Sequence, residues 1–159
     1  EASRRFPDMI VGAGTLLDAG QVKQVIDMGA KFGVSPGSTP ALLNAVSRNG
    51  FPFLPGGSSV SEFMALAEAG FAVQKFFPAG PAGGPAFLKH AASPLTDISF
   101  CPTGGINADN AADYLALPNV IAVGGSWFVS ADRIRNGGWA EITNDVSDIV
   151  RRFGNTKIL

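Results

Sequence analysis

Apolar positions along the chain follow two patterns in turn. Short apolar runs recur at Met9-Ile10-Val11-Gly12-Ala13-Gly14-Thr15, Phe32-Gly33-Val34-Ser35-Pro36-Gly37, Phe51-Pro52-Phe53-Leu54-Pro55-Gly56, Val73-Gln74-Lys75-Phe76-Phe77-Pro78, Ile98-Ser99-Phe100-Cys101-Pro102-Thr103 and Val120-Ile121-Ala122-Val123-Gly124-Gly125. Each is strand-sized and ends in Gly, Pro or Thr, which predicts six short strands. Between them, in Gln21 to Met28, Ala41 to Val46, Val60 to Glu68 and Ala108 to Leu117, apolar residues recur at three and four, the spacing of one face of a helix.

The helix starts carry caps. Asp18 with Gln21 and Ser59 with Glu62 have capping-box spacing, and Thr39, Asn107 and Ser130 serve as simpler N-caps. Strand followed by helix thus repeats about every 20 to 25 residues, the signature of βα units on a parallel sheet. The strands are apolar on both faces, as expected where helices cover a parallel sheet. Two α/β architectures fit: an open doubly wound sheet or a closed (β/α)8 barrel. No G-x-G-x-x-G opens a helix, and Gly12-Ala13-Gly14 lacks the third glycine, so a dinucleotide fold is the weaker reading. A complete barrel needs eight strands and about 200 residues or more, so six βα units imply that the first two strands are missing, or else that the sheet is open and complete.

Length and composition narrow the classes. The 159 residues predict a single domain over 1–159, with room for a sizeable core. At 46% hydrophobic and 16% charged residues the chain is too apolar for disorder. A net charge of -1 and a pI near 5.7 argue against a nucleic-acid partner or an anionic membrane surface. The single Cys101 cannot form an intrachain disulfide, and no Cys/His cluster suits a structural metal. No apolar stretch reaches membrane-spanning length and the first residues do not resemble a signal peptide, so a cytoplasmic location is expected.

In a barrel the chemistry sits at the carboxyl ends of the strands. The residues there are Thr15, Ser35 with Pro36, Pro55, Lys75 with Phe77, Thr103 with Gly104 and Gly105, and Gly124, Gly125 and Ser126. Lys75 stands out because it lies inside an apolar strand, between Val73 and Phe77 on one face. Desolvation there favours the neutral amine, a nucleophile able to form a Schiff base with a ketone; the alternative is a lysine snorkelling from an edge strand to water. Thr103-Gly104-Gly105 and Gly124-Gly125-Ser126 follow the last two strands, where freed backbone N–H groups make an anion pocket; each pair taken singly is also a plain tight turn. The carboxylates give a negative result: Asp8 and Asp97 lie at strand beginnings, while Asp18 and Glu62 are cap residues. His90 reads as a solvated helix residue, Cys101 as a small buried side chain, and Trp127 and Trp139 as packing residues.

Val11-Gly12-Ala13-Gly14-Thr15, Ser35-Pro36-Gly37, Lys75-Phe76-Phe77-Pro78-Ala79, Phe100-Cys101-Pro102-Thr103-Gly104-Gly105-Ile106 and Gly124-Gly125-Ser126-Trp127 together resemble the 2-keto-3-deoxy-6-phosphogluconate (KDPG) and 4-hydroxy-2-oxoglutarate (KHG) aldolases. The match is collinear from about Pro7 to the carboxyl-terminal helix. The resemblance implies a class I aldolase that uses no cofactor and no metal, on a (β/α)8 TIM barrel, a cytoplasmic homotrimer of the Entner-Doudoroff pathway acting on a small 2-keto acid phosphate. It gives Lys75 the Schiff-base role, places Thr15 and Pro36 along the pyruvate part, sets Phe77 beside the lysine and puts Thr103 on the substrate hydroxyl. Gly104, Gly105, Gly125 and Ser126 match the phosphate pocket. Thr103 and Ser126 lean toward the phosphorylated gluconate substrates.

One departure is large. The family's proton-transfer glutamate and carboxylate-binding arginine lie on or just after its second strand, and no residue here matches them. The chain is therefore expected to be the carboxyl-terminal three quarters of such an aldolase, and weak or inactive if it is the whole polypeptide. Losing an acid/base group typically costs about 10²- to 10⁴-fold. Two alternatives remain open: an inactive phosphate-binding partial barrel, and a phosphosugar isomerase or epimerase. The latter is disfavoured by Lys75 within a strand and by the lack of paired carboxylates.

Overall fold

The computed structural model describes residues 2–154, which form two compact units divided between Phe77 and Pro78. In the first, a short helix α1 (Ala2–Arg5) precedes β1 (Gly12–Ala13), α2 (Ala19–Asp27), β2 (Phe32–Val34), α3 (Pro40–Arg48), β3 (Phe53–Leu54), β4 (Gly56–Gly57), α4 (Val60–Glu68) and β5 (Val73–Phe76). β1 pairs with β2, β2 with β3, and β4 with β5, all parallel. The predicted run 51–56 appears as two short strands because Pro55 has no N–H to give to a ladder, although its carbonyl still accepts from Lys75 N–H at 2.8 Å.

The second unit holds α5 (Gly84–Ala91), β6 (Ser99–Pro102), α6 (Ala111–Leu115), α7 (Ala131–Arg135) and α8 (Trp139–Phe153). The apolar run from Val120 lies parallel to β6 as two isolated bridges, Phe100 with Val120 and Thr103 with Gly124. Ile121 N–H donates to Phe100 O, and Gly124 N–H to Pro102 O. Pro102 returns no N–H, which interrupts what the sequence presents as a continuous strand. The helices fit the predicted segments, with one shortened: Ala108 to Asn110 are a turn, so α6 begins at Ala111. Asn107 Oδ1 accepts from the N–H groups of Asp109 and Asn110 and so caps that turn rather than the helix itself.

These ladders and their helices make a parallel α/β fold; a closed barrel does not follow from them alone. Among the described residues no helix is long and apolar enough to cross a membrane.

The caps show why the helices of the first unit start where they do. Asp18 accepts from Gln21 N–H at 2.8 Å, while Gln21 Oε1 accepts from Leu17 N–H at 2.7 Å. Thr39 accepts from Leu42 N–H, and Pro40 at the first helical position gives up an N–H that would have gone unpaired. Ser59 accepts from Glu62 N–H, and the Glu62 carboxylate reaches back to Ser59 Oγ at 2.7 Å and Ser58 N–H at 3.0 Å. Each such cap is worth about 1 kcal/mol. The apolar faces of α2 and α3 then close on the sheet: Leu16, Val22, Leu42, Val46 and Phe51 are buried together, with Val25, Ile26, Ala45, Phe53 and Phe71 packed against them.

One close approach ties strand ends together. Ser35 is fully buried and its Oγ accepts from Gly56 N–H at 3.3 Å, Ser35 N–H donates to Leu54 O, and Ser38 Oγ donates to Gly56 O at 2.9 Å. A Cβ on Gly56 would lie 2.4 Å from the backbone C and O of Pro36, so only glycine lets the two segments meet.

Two outcomes follow. Gly56→Ala should lower unfolding stability by about 2 kcal/mol or more in urea melts, because the obstructing atoms are backbone and cannot swing aside. The Ser59 hydroxyl, followed by the Ser58 N–H, holds the Glu62 carboxyl below its ordinary value of 4.5. A lowered folded value stabilises above the unfolded value and is lost as pH falls through the folded one. Glu62→Gln should therefore be less stable than the parent at pH 7, with the gap closing toward pH 3; an unchanging gap would leave the charge no part in the cap.

Candidate active site

In β5 the burial alternates: Gln74 and Phe76 are buried, Val73 is exposed and Lys75 is half-buried. The two sets of side chains leave opposite faces of the strand. On one face Phe76 meets Phe63 of α4 edge-to-face, with ring centroids 6.0 Å apart. Gln74 Nε2 donates to Phe63 O at 3.0 Å and Phe71 O at 2.8 Å, which fastens the strand to α4 and to the turn before it. Lys75 therefore leaves the opposite face. Its Nζ lies 4.5 Å from the centre of the Phe77 ring, a cation-π distance. The strand carrying it is held by Lys75 N–H to Pro55 O and Phe77 N–H to Gly57 O.

Lys75 stands in register with Gly56, the residue against which the Ser35–Pro36 backbone packs. Pro36 thus lies just past the carboxyl end of β2, with the β3–β4 run between it and the strand of Lys75. Thr15 is one residue before Leu16, whose N–H donates to Val34 O at 3.0 Å, so it lies at the carboxyl end of β1. Thr15 is exposed and has a left-handed backbone, φ 63°. The first unit therefore sets Thr15, Pro36, Lys75 and Phe77 on the carboxyl ends of its neighbouring parallel strands. This is the edge where ligands bind on parallel α/β sheets.

The second unit gathers the remaining candidates. Thr103 ends β6, and its carbonyl accepts from Ala79 N–H at 2.8 Å, while Gly104 O accepts from Gly80 N–H at 2.9 Å. Gly104 and Gly105 both have positive φ, 88° and 83°, a consecutive left-handed pair that side chains would resist. Gly124 packs on Thr103, where an added Cβ would come within 2.5 Å of Cγ2, and Gly125 lies beside Ile106 O. The two glycine loops are thus neighbours. Ser126 is exposed, and Asn110 Nδ2 braces the first loop by donating to Gly105 O at 2.9 Å. Thr103 Oγ1 is buried and has no hydrogen-bond partner among the described residues, a free donor and acceptor at the loop.

Other side chains take the places expected of them, with one exception. His90 is exposed on α5, and Cys101 is buried. Asp18 and Glu62 serve as caps. Trp127 is half-buried and meets Phe128 edge-to-face, but Trp139 is 59% exposed at the start of α8 and is no packing residue. Gln74 escaped the reading of the sequence, which placed Ser35 at a strand end and did not foresee its bond to Gly56. A polar residue next to Lys75 in an apolar run was the available signal for Gln74.

Comparison with known proteins gives the family. The aldolase family described as KDPG and KHG aldolase matches residues 1–145. The 2-dehydro-3-deoxy-phosphogluconate aldolase of Pseudoalteromonas atlantica is 46% identical over 137 residues, 86% of this chain and 64% of that protein. The KHG/KDPG aldolase of Escherichia coli is 45% identical over 141 residues, 89% of this chain and 66% of that protein. The chain thus spans just under two thirds of the length of these two relatives. Among solved structures, the KDPG aldolase of Legionella pneumophila, with pyruvate captured as a covalent carbinolamine intermediate, superposes with a TM-score of 0.87 at 46% identity. That match covers 89% of this chain and 69% of the other. A parallel α/β fold, the strand lysine, the glycine loops and a family match over residues 1–145 lead to one conclusion: the chain belongs to the KDPG and KHG aldolase family.

Proposed function

We propose that this chain carries the Schiff-base chemistry of an aldolase, a carbon-carbon lyase that cleaves KDPG to pyruvate and glyceraldehyde 3-phosphate and also 4-hydroxy-2-oxoglutarate to pyruvate and glyoxylate. The observation that carries the reading is Lys75: a half-buried strand lysine, fixed by Gln74 on the far face and by Phe77 at its amine, in a chain of this family. Support comes also from the Legionella pneumophila relative, in which pyruvate was captured covalently.

The Lys75 amine attacks the C2 ketone and forms a carbinolamine, which loses water to a protonated imine. The C3–C4 electron pair then moves into the iminium, the C4 hydroxyl gives up its proton, and the aldehyde departs. Protonation of the remaining enamine at C3 and hydrolysis of the imine return pyruvate and the free amine. The acceptor of the hydroxyl proton is assigned to no residue of this chain. Thr15 and Pro36 line the keto-acid part, and Phe77 holds the amine in place. Thr103, with a buried hydroxyl oxygen that has no partner among the described residues, takes a substrate hydroxyl. The backbone N–H groups of Gly104, Gly105 and Gly125, with Ser126, receive the phosphate.

The same reading assigns the strands to six of the eight βα units of a (β/α)8 barrel, as the carboxyl-terminal part of one domain. It places the protein in the cytoplasm as a homotrimer on the Entner-Doudoroff pathway, without nucleic-acid or membrane partners. The parallel strand order of the first unit supports the barrel. Trimer and location rest on the family resemblance.

Reduction with borohydride in the presence of pyruvate should leave a lactyl group on Lys75, located by peptide mass spectrometry. Lys75→Met should take no label while circular dichroism and phosphate binding stay those of the parent. A folded parent chain that binds inorganic phosphate yet takes no label would sink the aldolase reading in favour of a phosphate-binding partial barrel.

A further inference from the structure

The loop after Gly124 folds back on itself. Ser126 O accepts from Val129 N–H at 3.1 Å, which makes Trp127 and Phe128 the two central residues of a turn. From there the Trp127 side chain returns over Gly125: a Cβ on Gly125 would run into the six-membered part of the indole and would stand 3.3 Å from Ile106 O. Gly125 is not among the glycines of positive φ, so its backbone makes no demand for glycine. The indole makes that demand.

The turn is held at both ends. Arg133 of α7 donates to Phe128 O at 3.3 Å and pairs with Asp145 of α8, while Trp127 and Phe128 share an apolar groove with Val146, Ile149 and Phe153 of α8. On the other side Gly124 N–H donates to Pro102 O, next to the loop of Gly104 and Gly105. Between these anchors Gly125 and Ser126 are exposed, and neither N–H has an acceptor among the described residues. Two consecutive free N–H groups suit an oxyanion. A loop that is ordered only when its ligand arrives loses affinity to that ordering, so whatever fixes the loop beforehand strengthens binding.

We propose that Trp127 is a positioning residue for this loop: its indole, resting on Gly125, holds the Gly125 and Ser126 N–H groups in place for a phosphate group and acts through Gly125 rather than on the phosphate. The inference rests on the phosphate reading of the glycine loops, and it adds a residue that the sequence alone presents as packing.

The chain has two tryptophans and Trp139 is exposed, so Trp139→Phe in the full chain leaves Trp127 as the sole indole reporter. Its emission should shift on titration with inorganic phosphate and level off at saturation. By calorimetry, Trp127→Ala should need about tenfold more phosphate for half-saturation, as expected when a loop is no longer ordered beforehand, while Trp127→Phe, which keeps a ring beside Gly125, stays near the parent. Circular dichroism, and borohydride labelling of Lys75 with pyruvate, a keto acid without phosphate, should match the parent in both variants. Unchanged phosphate binding in Trp127→Ala overturns the inference. So does a joint loss of phosphate binding and labelling in a folded Trp127→Ala, which makes Trp127 a packing residue. If Trp127→Ala does not fold, the emission titration decides: a saturable shift supports the inference, and emission that ignores saturating phosphate overturns it. A parent that binds no phosphate overturns the phosphate reading, and this inference with it.

Discussion

The approach of the Ser35–Pro36 backbone to Gly56 is the contact on which the first unit's candidate site depends. It joins the end of β2 to β4, and β4 in turn sets the register of β5 through Gly56 opposite Lys75. The Ser35 hydroxyl is buried there with the Gly56 N–H as its donor, and Ser38 takes the carbonyl of the same glycine. Two polar contacts on one residue without a side chain thus fix where Pro36 stands relative to the strand of Lys75. The helices contribute from behind: their caps fix where they begin, and their apolar faces keep the sheet in place.

Proline has a second part in this arrangement. Pro36, Pro55, Pro78 and Pro102 all fall at or near strand carboxyl ends. Pro55 and Pro102 interrupt their ladders by withholding an N–H, yet each retains a carbonyl that accepts from a neighbour. Strands so interrupted stay short, and the chain beyond them is free to turn. The left-handed pair at Gly104–Gly105, just past Pro102, makes use of that freedom.

Much of this was legible in the sequence because it depends on local chemistry. Asp18, Thr39, Ser59 and Ser130 cap helices as their spacing predicts, since a cap is a contact between residues three apart. The parallel α/β class follows from the alternation of apolar runs with helical periods, and Lys75 was visible as a charge in an apolar strand. What could not be read depends on partners distant in the chain or on dihedral angles. The left-handed φ of Thr15 has no signature beside Gly14, where glycine suggests the turn falls one residue earlier. Gln74 finds its acceptors on α4 and on Phe71, which only the folded chain reveals. The exposure of Trp139 contradicts the packing role its size suggests, and the breaks at Pro55 and Pro102 turn predicted single strands into fragments.

Gln74 and Lys75 sit side by side and leave opposite faces of β5. A slip of the strand by one residue would exchange them, since side chains alternate with a period of two. The ammonium would then lie against α4, facing Phe63, without the carboxylate or water that an interior charge requires, while Phe76 would leave that ring and Phe63 O and Phe71 O would lose their amide donor. Mispairing of this strand is therefore penalised twice over. The residue that carries the proposed reaction also proofreads, with its neighbour, the register in which the strand must be laid down.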